Sequence, residues 1–191
     1  MSTMGYGDAE LLWFPDAPPQ SRVGYNGAPQ TIKVMSQAAL DDAKHFQTRQ
    51  IAEAVCEGID SKDYVSEYLA LYNFLIQRCR YMRDPRRTEL VRAPYIISKQ
   101  MLAGHRPSID CDDMACWLAA AVLAVGGNAQ FATVAFQKMM YDGQVQYSHV
   151  FTCAIEPRAR TRIILDPVAA EKTSQMLSRV KEWHVWAPLT S

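Results

Sequence analysis

The sequence has no long hydrophobic run. None of its apolar stretches approaches the roughly eighteen to twenty consecutive residues that a membrane-spanning helix needs. Residues 1–12 contain no basic side chain and include Asp8 and Glu10, whereas a secretory signal begins with a basic segment. We therefore expect a soluble protein with no membrane span that stays in the compartment where it is made.

The chain also has no excess of charge of either sign, since 20 lysine and arginine residues balance 20 aspartate and glutamate residues. Proteins that bind nucleic acid normally carry a basic surface, so no nucleic-acid partner is predicted. Cysteines are few and odd in number, five in all, and no two of them form a C-x-x-C pair. This pattern fits neither a disulfide framework nor a zinc ribbon, and it favours a reducing compartment.

Proline and glycine are unevenly distributed. Residues 1–30 contain four prolines and four glycines, a density that does not sustain a regular helix or strand. We therefore predict an extended arm over residues 1–35. With 191 residues, of which 49% are hydrophobic, the chain can form one globular domain with a substantial core. That domain is predicted over residues 36–168, and a C-terminal helix with a tryptophan-rich tail over residues 169–191.

Apolar residues at helical spacing predict three helices in the first half of the chain. The first extends over residues 36–55. The second begins after Ser61 or Asp63, either of which can serve as an N-cap, and continues to Cys79. The third is a short helix over residues 95–102.

The clearest helical signal begins at Asp110. This residue is a good N-cap, and Asp113, three positions later, resembles the second member of a capping box. Residues 114–125 are almost entirely apolar, and Gly126-Gly127 ends the helix. A helix that is apolar on nearly every side belongs in the middle of a domain.

Beyond the glycines the sequence becomes rich in β-branched and aromatic residues in alternation. Three such runs extend over residues 129–136, 145–155 and 161–166. Their short connections favour an antiparallel sheet that packs against the buried helix. The predicted fold class is therefore α+β.

Cys111 is the best candidate for a nucleophile. It lies directly after the N-cap of the buried helix, where the helix dipole favours a thiolate and a backbone N–H could receive an oxyanion. The other four cysteines lie within apolar helical faces or a strand, where cysteine usually acts as a small hydrophobe. Asp110, Asp112 and Asp113 would oppose a thiolate by repulsion, so a positive partner must come from elsewhere in the fold.

His149 and Asp166 complete the pattern. Among the four histidines, His149 alone is centred in a predicted core strand, and Asp166 closes the next strand. An aspartate in that place can accept the Nδ1 proton of the histidine and fix its tautomer. A nucleophile, a base and an orienting carboxylate are therefore predicted in one order along the chain.

Simpler interpretations stay open at this point. A histidine in a strand is often a hydrogen-bonded core residue, and Asp166-Pro167 is also a common turn. His149 and Cys153 share one face of a strand and could bind a metal together with Cys111. A closed zinc site usually includes a tight pair such as C-x-x-C, which the chain lacks, so no metal is predicted.

At these residues the chain resembles the transglutaminase-like superfamily of papain-type cysteine acyltransferases and peptidases. The resemblance covers roughly residues 70 to 168 and is carried by three segments: Asp110-Cys111-Asp112-Asp113, Ser148-His149-Val150-Phe151 and Ile164-Leu165-Asp166-Pro167. It is closest to small members encoded by bacteriophages and prophages, on the strength of three further segments: Arg83-Asp84-Pro85, Glu89-Leu90 and Pro94. Asp112 stands where animal-type transglutaminases have tryptophan, which argues against cross-linking.

The resemblance implies a papain-like or transglutaminase-like core and an acyl transfer on an amide or peptide bond. It implies that Cys111 forms a thioester, that His149 carries the proton and that Asp166 orients the histidine, with no cofactor. The partner would be a protein or peptide substrate. Localisation would be cytoplasmic, in the host cell for a phage-encoded protein, or in the virion.

A non-catalytic alternative belongs to a different class of protein. In it the chain is a structural or adaptor protein of a phage virion that retains the transglutaminase-like fold. Residues 1–30 would then contact other virion proteins. The acidic residues around Cys111 favour this alternative.

Overall fold

The computed structural model describes residues 28–83, 91–137, 140–141, 144–145, 147–168 and 173–189. Its helices are α1 (Ala28–Asp42), α2 (Phe46–Val55), α3 (Tyr64–Arg78), α4 (Pro94–Leu102), α5 (Cys111–Ala124) and α6 (Thr173–Ser178). Its strands are β1 (Arg80–Tyr81), β2 (Ser108–Ile109), β3 (Asn128–Ala135), β4 (Met140–Tyr141), β5 (Gln144–Val145), β6 (His149–Ile155), β7 (Arg162–Leu165) and β8 (Glu182–Val185). No helix within the described ranges has both the length and the apolar character needed to cross a membrane.

Two predicted helices begin at the expected caps. The carboxylate of Asp63 accepts a hydrogen bond from the Ser66 N–H at 3.2 Å at the start of α3. Asp110 accepts one from the Asp113 N–H at 3.4 Å at the start of α5. Both caps were predictable because N-capping depends on residues three positions apart.

The first predicted helix differs from the structure. It begins at Ala28 rather than at residue 36, so residues 28–35 of the predicted arm are helical, while residues 1–27 lie outside the described part of the chain. It is also divided, because the chain turns between α1 and α2. At this turn Asp42 accepts a hydrogen bond from the Tyr95 N–H at 3.0 Å and His45 stacks on the Tyr95 ring. These contacts with α4 are long-range, so helical spacing does not predict the break.

The main sheet has four antiparallel strands in the order β7-β6-β3-β8. The three predicted strands are confirmed, although the second begins at His149 instead of Val145, since residues 144–145 pair with β4. The fourth strand, β8, was predicted as part of the tryptophan-rich tail. Its residues alternate polar and apolar, but four residues are too short a run to indicate a strand by themselves. Trp186, just beyond β8, donates from its indole to the Thr133 hydroxyl at 3.1 Å.

The central helix α5 is buried as predicted. Every residue from Ala115 to Val122 has an exposed fraction of 0%. On one side the thiol of Cys116 reaches the Met35 carbonyl of α1 at 3.3 Å, and on another the Trp117 indole donates to Ser98 of α4 at 2.9 Å. The sheet covers the remaining side, so α5 has protein around it rather than water.

The two faces of the sheet pack differently. Side chains at Val150 and Ala154 belong to the main core with α5. Phe151 and Cys153 belong to a smaller cluster on the opposite face, which includes Met176 of α6. This is the alternation expected of a strand with both faces covered.

A buried hydrogen bond fixes α5 to the sheet. The Thr152 hydroxyl of β6 donates to the Ala115 carbonyl at 2.6 Å, and both residues have an exposed fraction of 0%. Ala115 lies one helical turn after Cys111, so this bond sets the position of the first turn of α5 against β6.

We predict that Thr152→Val lowers the free energy of unfolding by about 1 kcal/mol, because valine keeps the shape but loses one buried hydrogen bond. Urea denaturation at neutral pH measures the change. Thr161→Val, outside the strands, serves as the matched control and is expected to change stability by less than about 0.5 kcal/mol. Equal stability of Thr152→Val and the parent protein would show that the bond does not hold α5 in place.

Candidate active site

Cys111 is the first residue of α5 and is half-buried. Asp110 precedes it in an extended conformation and caps the helix. Negative charge is favoured at a helix N-terminus, so the dipole of α5 supports a thiolate at this position.

The other cysteines have environments that oppose reaction. Cys79, Cys116 and Cys153 are buried, and Cys56 is half-buried. Burial raises the pKa of the Cys153 thiol and of the Cys79 thiol to about 12. Burial, together with the charge of Glu67, raises the pKa of the Cys56 thiol to about 11. These four thiols stay protonated near neutral pH, as the sequence predicted for small hydrophobes.

Asp113 is held by a residue that the sequence analysis did not identify. The Arg92 N–H donates to Asp113 Oδ1 at 2.6 Å, and Arg92 Nε lies 3.6 Å from Asp113 Oδ2. The same guanidinium donates from Nη1 to the Ser108 carbonyl of β2 at 2.7 Å. Arg92 therefore joins the segment before α4, the strand before Cys111 and the first turn of α5. Its role depends on a contact across 21 sequence positions, for which the sequence shows no signal.

Asp112 differs from a surface carboxylate. It has an exposed fraction of 2%, and burial, a hydrogen bond with Asp110 and the charges of Asp110 and Asp113 raise its pKa to about 9. Asp112 is therefore protonated at neutral pH. The repulsion at the Cys111 sulfur is smaller than three neighbouring acids suggest, because one is neutral and another is paired with Arg92.

His149 and Asp166 lie side by side. His149 Nε2 is 2.8 Å from Asp166 Oδ2, and the two side chains have exposed fractions of 9% and 0%. The expectation that Asp166 would bind Nδ1 is wrong. Leu165 is aligned with Thr152, so Asp166 comes level with Phe151 and must reach diagonally to His149. The distal nitrogen, Nε2, is the one that spans this distance, which leaves Nδ1 directed elsewhere.

The carboxylate of Asp166 is fixed from a second side. Its Oδ1 accepts a hydrogen bond from the Val168 N–H at 3.1 Å, so the Asp-Pro turn and the histidine contact occur together. The Tyr72 hydroxyl of α3 donates to the Asp166 carbonyl at 3.2 Å. Burial, with a contribution from the charge of Asp166, raises the pKa of the Tyr72 hydroxyl, so tyrosine remains a donor. These contacts leave the carboxylate little freedom to turn away from His149.

Two aromatic rings flank the imidazole. The Phe136 ring is stacked against His149 with centroids 6.2 Å apart, and the Phe151 ring is tilted at 6.0 Å. Both phenylalanines belong to the smaller cluster on the face opposite α5. They limit the rotation of the imidazole and keep its surroundings apolar.

Cys111 and the His149-Asp166 pair lie at the same end of the domain. At its middle, β6 contacts the second turn of α5 through Thr152 and Ala115. At its C-terminal end Ile155 pairs with Asn128, which follows α5 closely in sequence. The helix and the strand therefore run in the same direction, and Cys111 and His149 each open their own element.

The face of the sheet on which His149 lies limits how its imidazole can approach Cys111. Alternation along β6 places His149 with Phe151, on the face away from α5. An approach between the imidazole and the thiol must therefore occur around the first residue of β6. The first position of a strand permits this, because no preceding strand residue covers it.

The acids around Cys111 form the one close group of metal-ligand side chains among the described residues. Oxygens of Asp110, Asp112 and Asp113 lie within 4.8 Å of one another, and neither His149 nor Cys153 is a member. Asp110 caps α5, Asp113 accepts from Arg92 and Asp112 is protonated, so each of these carboxyl groups has a structural role.

Two solved structures resemble this fold. A protein described as a putative protease from Parabacteroides distasonis ATCC 8503 aligns with a TM-score of 0.56 and 10% identity, over 78% of this chain and 27% of its own. A protein described as a putative cysteine protease from Cytophaga hutchinsonii aligns with a TM-score of 0.50 and 15% identity, over 88% of this chain and 58% of its own. No protein-family model and no curated protein matches the sequence.

At these identities the likeness shows the fold alone. The predicted α+β fold, with helices packed on an antiparallel sheet, is confirmed. This fold is shared with two proteins described as putative proteases. The chain spans 27% and 58% of the lengths of these two proteins.

The raised pKa of Asp112 leads to a prediction for stability. Folding captures a proton at Asp112, so the free energy of unfolding should fall as pH rises from about 4, the ordinary carboxyl value, to about 9. Asp112→Asn keeps the neutral form at every pH and should remove much of this slope. At pH 7 it should raise stability by on the order of 1 kcal/mol or more, since one pKa unit corresponds to about 1.4 kcal/mol.

Urea denaturation at several pH values between 5 and about 9 tests this. Asp60→Asn at an exposed position is the matched control and should leave the slope unchanged. A variant at Asp112 that is less stable than the parent at all these pH values would mean that Asp112 is ionised in the folded protein.

Proposed function

We propose that the protein performs cysteine-dependent acyl transfer on an amide or peptide bond, with Cys111 as nucleophile, His149 as base and Asp166 as the residue that orients the base. The observation that carries the proposal is the 2.8 Å contact between His149 Nε2 and Asp166 Oδ2, at the end of the domain where α5 begins with Cys111. A histidine held by a buried carboxylate is the base that activates a helix-terminal cysteine in such a site.

The first half of the reaction follows from these groups. With its proton on Nε2 shared with Asp166, neutral His149 would accept the Cys111 thiol proton at Nδ1. The thiolate would attack the carbonyl carbon and form a tetrahedral oxyanion, which N–H groups at the start of α5 could receive. Collapse would break the C–N bond. The imidazolium would return the proton to the departing amine and leave a thioester on Cys111.

In the second half His149 would remove a proton from water or from an acceptor amine. Attack by water would release a carboxylic acid, as in a peptidase or amidase. Attack by an amine would release a new amide, as in a transferase. Both routes return the proton to the sulfur and restore the enzyme.

The superfamily, the substrate class and the location are part of the same proposal. The segments Asp110-Cys111-Asp112-Asp113 and Ser148-His149-Val150-Phe151 support membership of the transglutaminase-like superfamily. The similarity to small phage-encoded members leads us to propose a protein or peptide substrate and a role in the host cytoplasm or the virion. A fold shared with two proteins described as putative proteases supports peptide-bond chemistry.

A structural or adaptor role is the second candidate. It is favoured by the first turn of α5, where Asp110, Asp112 and Asp113 are buried and two of them serve helix capping and the contact with Arg92. Such a turn could be retained for stability alone. If the protein is a virion component, particle assembly that tolerates Cys111→Ala but fails without residues 1–30 would support this candidate over the enzyme.

Selective alkylation tests the catalytic proposal. We expect iodoacetamide at pH 7 to label Cys111 on the order of tenfold faster than Cys56, because the Cys56 thiol, which is also half-buried, has a raised pKa. His149→Ala should remove most of this difference. Mass spectrometry of the labelled peptides measures both rates in one sample. Similar rates for Cys111 and Cys56 in the parent protein would count against an activated thiol.

Asp166→Asn tests the orienting carboxylate. The amide would present a donor to either the Val168 N–H or the His149 Nε2–H, so the ring should lose its fixed tautomer. We expect Cys111 alkylation to slow on the order of tenfold near pH 7, with Cys56 unaffected. Circular dichroism should show an unchanged fold. A folded variant with the labelling rate of the parent would remove Asp166 from the proposed site.

A further inference from the structure

The pairing of β1 with β2 brings another charged residue to Cys111. The two strands are parallel, with Arg80 aligned to Ser108 and Tyr81 to Ile109. The Met82 N–H donates to the Ile109 carbonyl at 2.9 Å, which completes the pairing of Tyr81 with Ile109. Neighbouring parallel strands lie about 4.8 Å apart. Arg83 and Cys111 each follow this last aligned pair by two residues, and Asp110 before Cys111 is extended.

The Arg83 guanidinium interacts with two groups at the end of this strand pair, Tyr81 and Cys111. A hydrogen bond with Tyr81, and then the negative charges that Tyr81 and Cys111 can carry, raise the pKa of the Arg83 guanidinium. The contribution of Cys111 is the smallest of these, and it supports the proximity that the strand pairing indicates. Arg83, Tyr81 and Met82 are exposed to solvent.

We propose that Arg83 stabilises the thiolate of Cys111 and so serves as the positive partner that the acidic turn requires. This role rests on the proposed function of Cys111 as a nucleophile. Arg83 does not remove the proton, which is the task assigned to His149. It lowers the energy of the charged sulfur and leaves that of the neutral thiol unchanged.

The balance of charge around the sulfur favours such a partner. The charged or titratable described groups on the elements around Cys111 include Arg80 and Tyr81 on β1, Arg83 after it, Arg92 before α4, His105 and Arg106 before β2, Asp110, Asp112 and Asp113 at α5, His149 on β6 and Asp166 after β7. Arg92 is committed to Asp113, Arg106 donates to the Cys79 carbonyl at 3.3 Å, and His149 is bound to Asp166. Arg83 is exposed, and its segment runs beside the strand that leads to Cys111.

Because Arg83 is exposed, solvent weakens its effect on the Cys111 thiolate. The test is the rate of Cys111 alkylation by iodoacetamide from pH 5 to about 9.5, measured by mass spectrometry in the full chain. We expect Arg83→Gln to move the midpoint of the rate profile to higher pH and to slow labelling at pH 6.5 by about threefold to tenfold. Arg83→Lys should restore most of the rate.

Arg80→Gln is the matched control. It removes the same charge from the same strand, but Arg80 is aligned with Ser108, three residues before Cys111. We expect its midpoint to equal that of the parent. The difference between Arg83→Gln and the parent should also shrink in about 1 M salt, where screening extends over only about 3 Å.

The outcomes separate this inference from the proposed function. Fast, His149-dependent labelling with no change of midpoint in Arg83→Gln would overturn the role of Arg83 and leave the proposed function intact. Equal slowing by Arg80→Gln would overturn it as well, because the effect would then come from net charge. A midpoint that moves in Arg83→Gln while His149→Ala changes nothing would support Arg83 and contradict His149 as the base.

Discussion

Burial of α5 on every side is the constraint on which the rest of the structure depends. A helix with no exposed residue from Ala115 to Val122 needs protein on all sides, and α1, α4 and the sheet supply it. Its first turn contains three acids, which must be stabilised at the edge of the core. Capping by Asp110, protonation of Asp112 and the Arg92 contact of Asp113 achieve this. Cys111, between these groups, remains half-buried and accessible.

The same arrangement determines the electrostatics at the sulfur. Counted along the sequence, three carboxylates surround one cysteine and should oppose a thiolate. In the folded protein Asp112 is neutral near pH 7 and Asp113 faces Arg92, so much of the repulsion is removed. Burial explains this, because it penalises an isolated charge and leaves protonation or pairing as the stable alternatives. An acidic turn is therefore compatible with thiol chemistry.

The sheet register positions the other two groups. Alignment of Leu165 with Thr152 brings Asp166 diagonally across from His149, and the Val168 and Tyr72 contacts hold that loop. The first residue of β6, His149, is consequently held in place and lies at the end of its strand. A rigid core with its polar groups at element ends is a common way to build a reactive site, since side chains there are held without being enclosed.

The sequence by itself determined the helices α3, α4 and α5, three strands and their antiparallel arrangement, because periodicity, caps and turns depend on residues close together in the chain. It also singled out Cys111, His149 and Asp166. Tertiary structure alone decided the earlier start and the division of the first helix, the strand β8, the use of His149 Nε2, and the contacts of Arg92 and Arg83. Each of these depends on groups distant in sequence, whose meeting is set by packing and strand register rather than by local pattern.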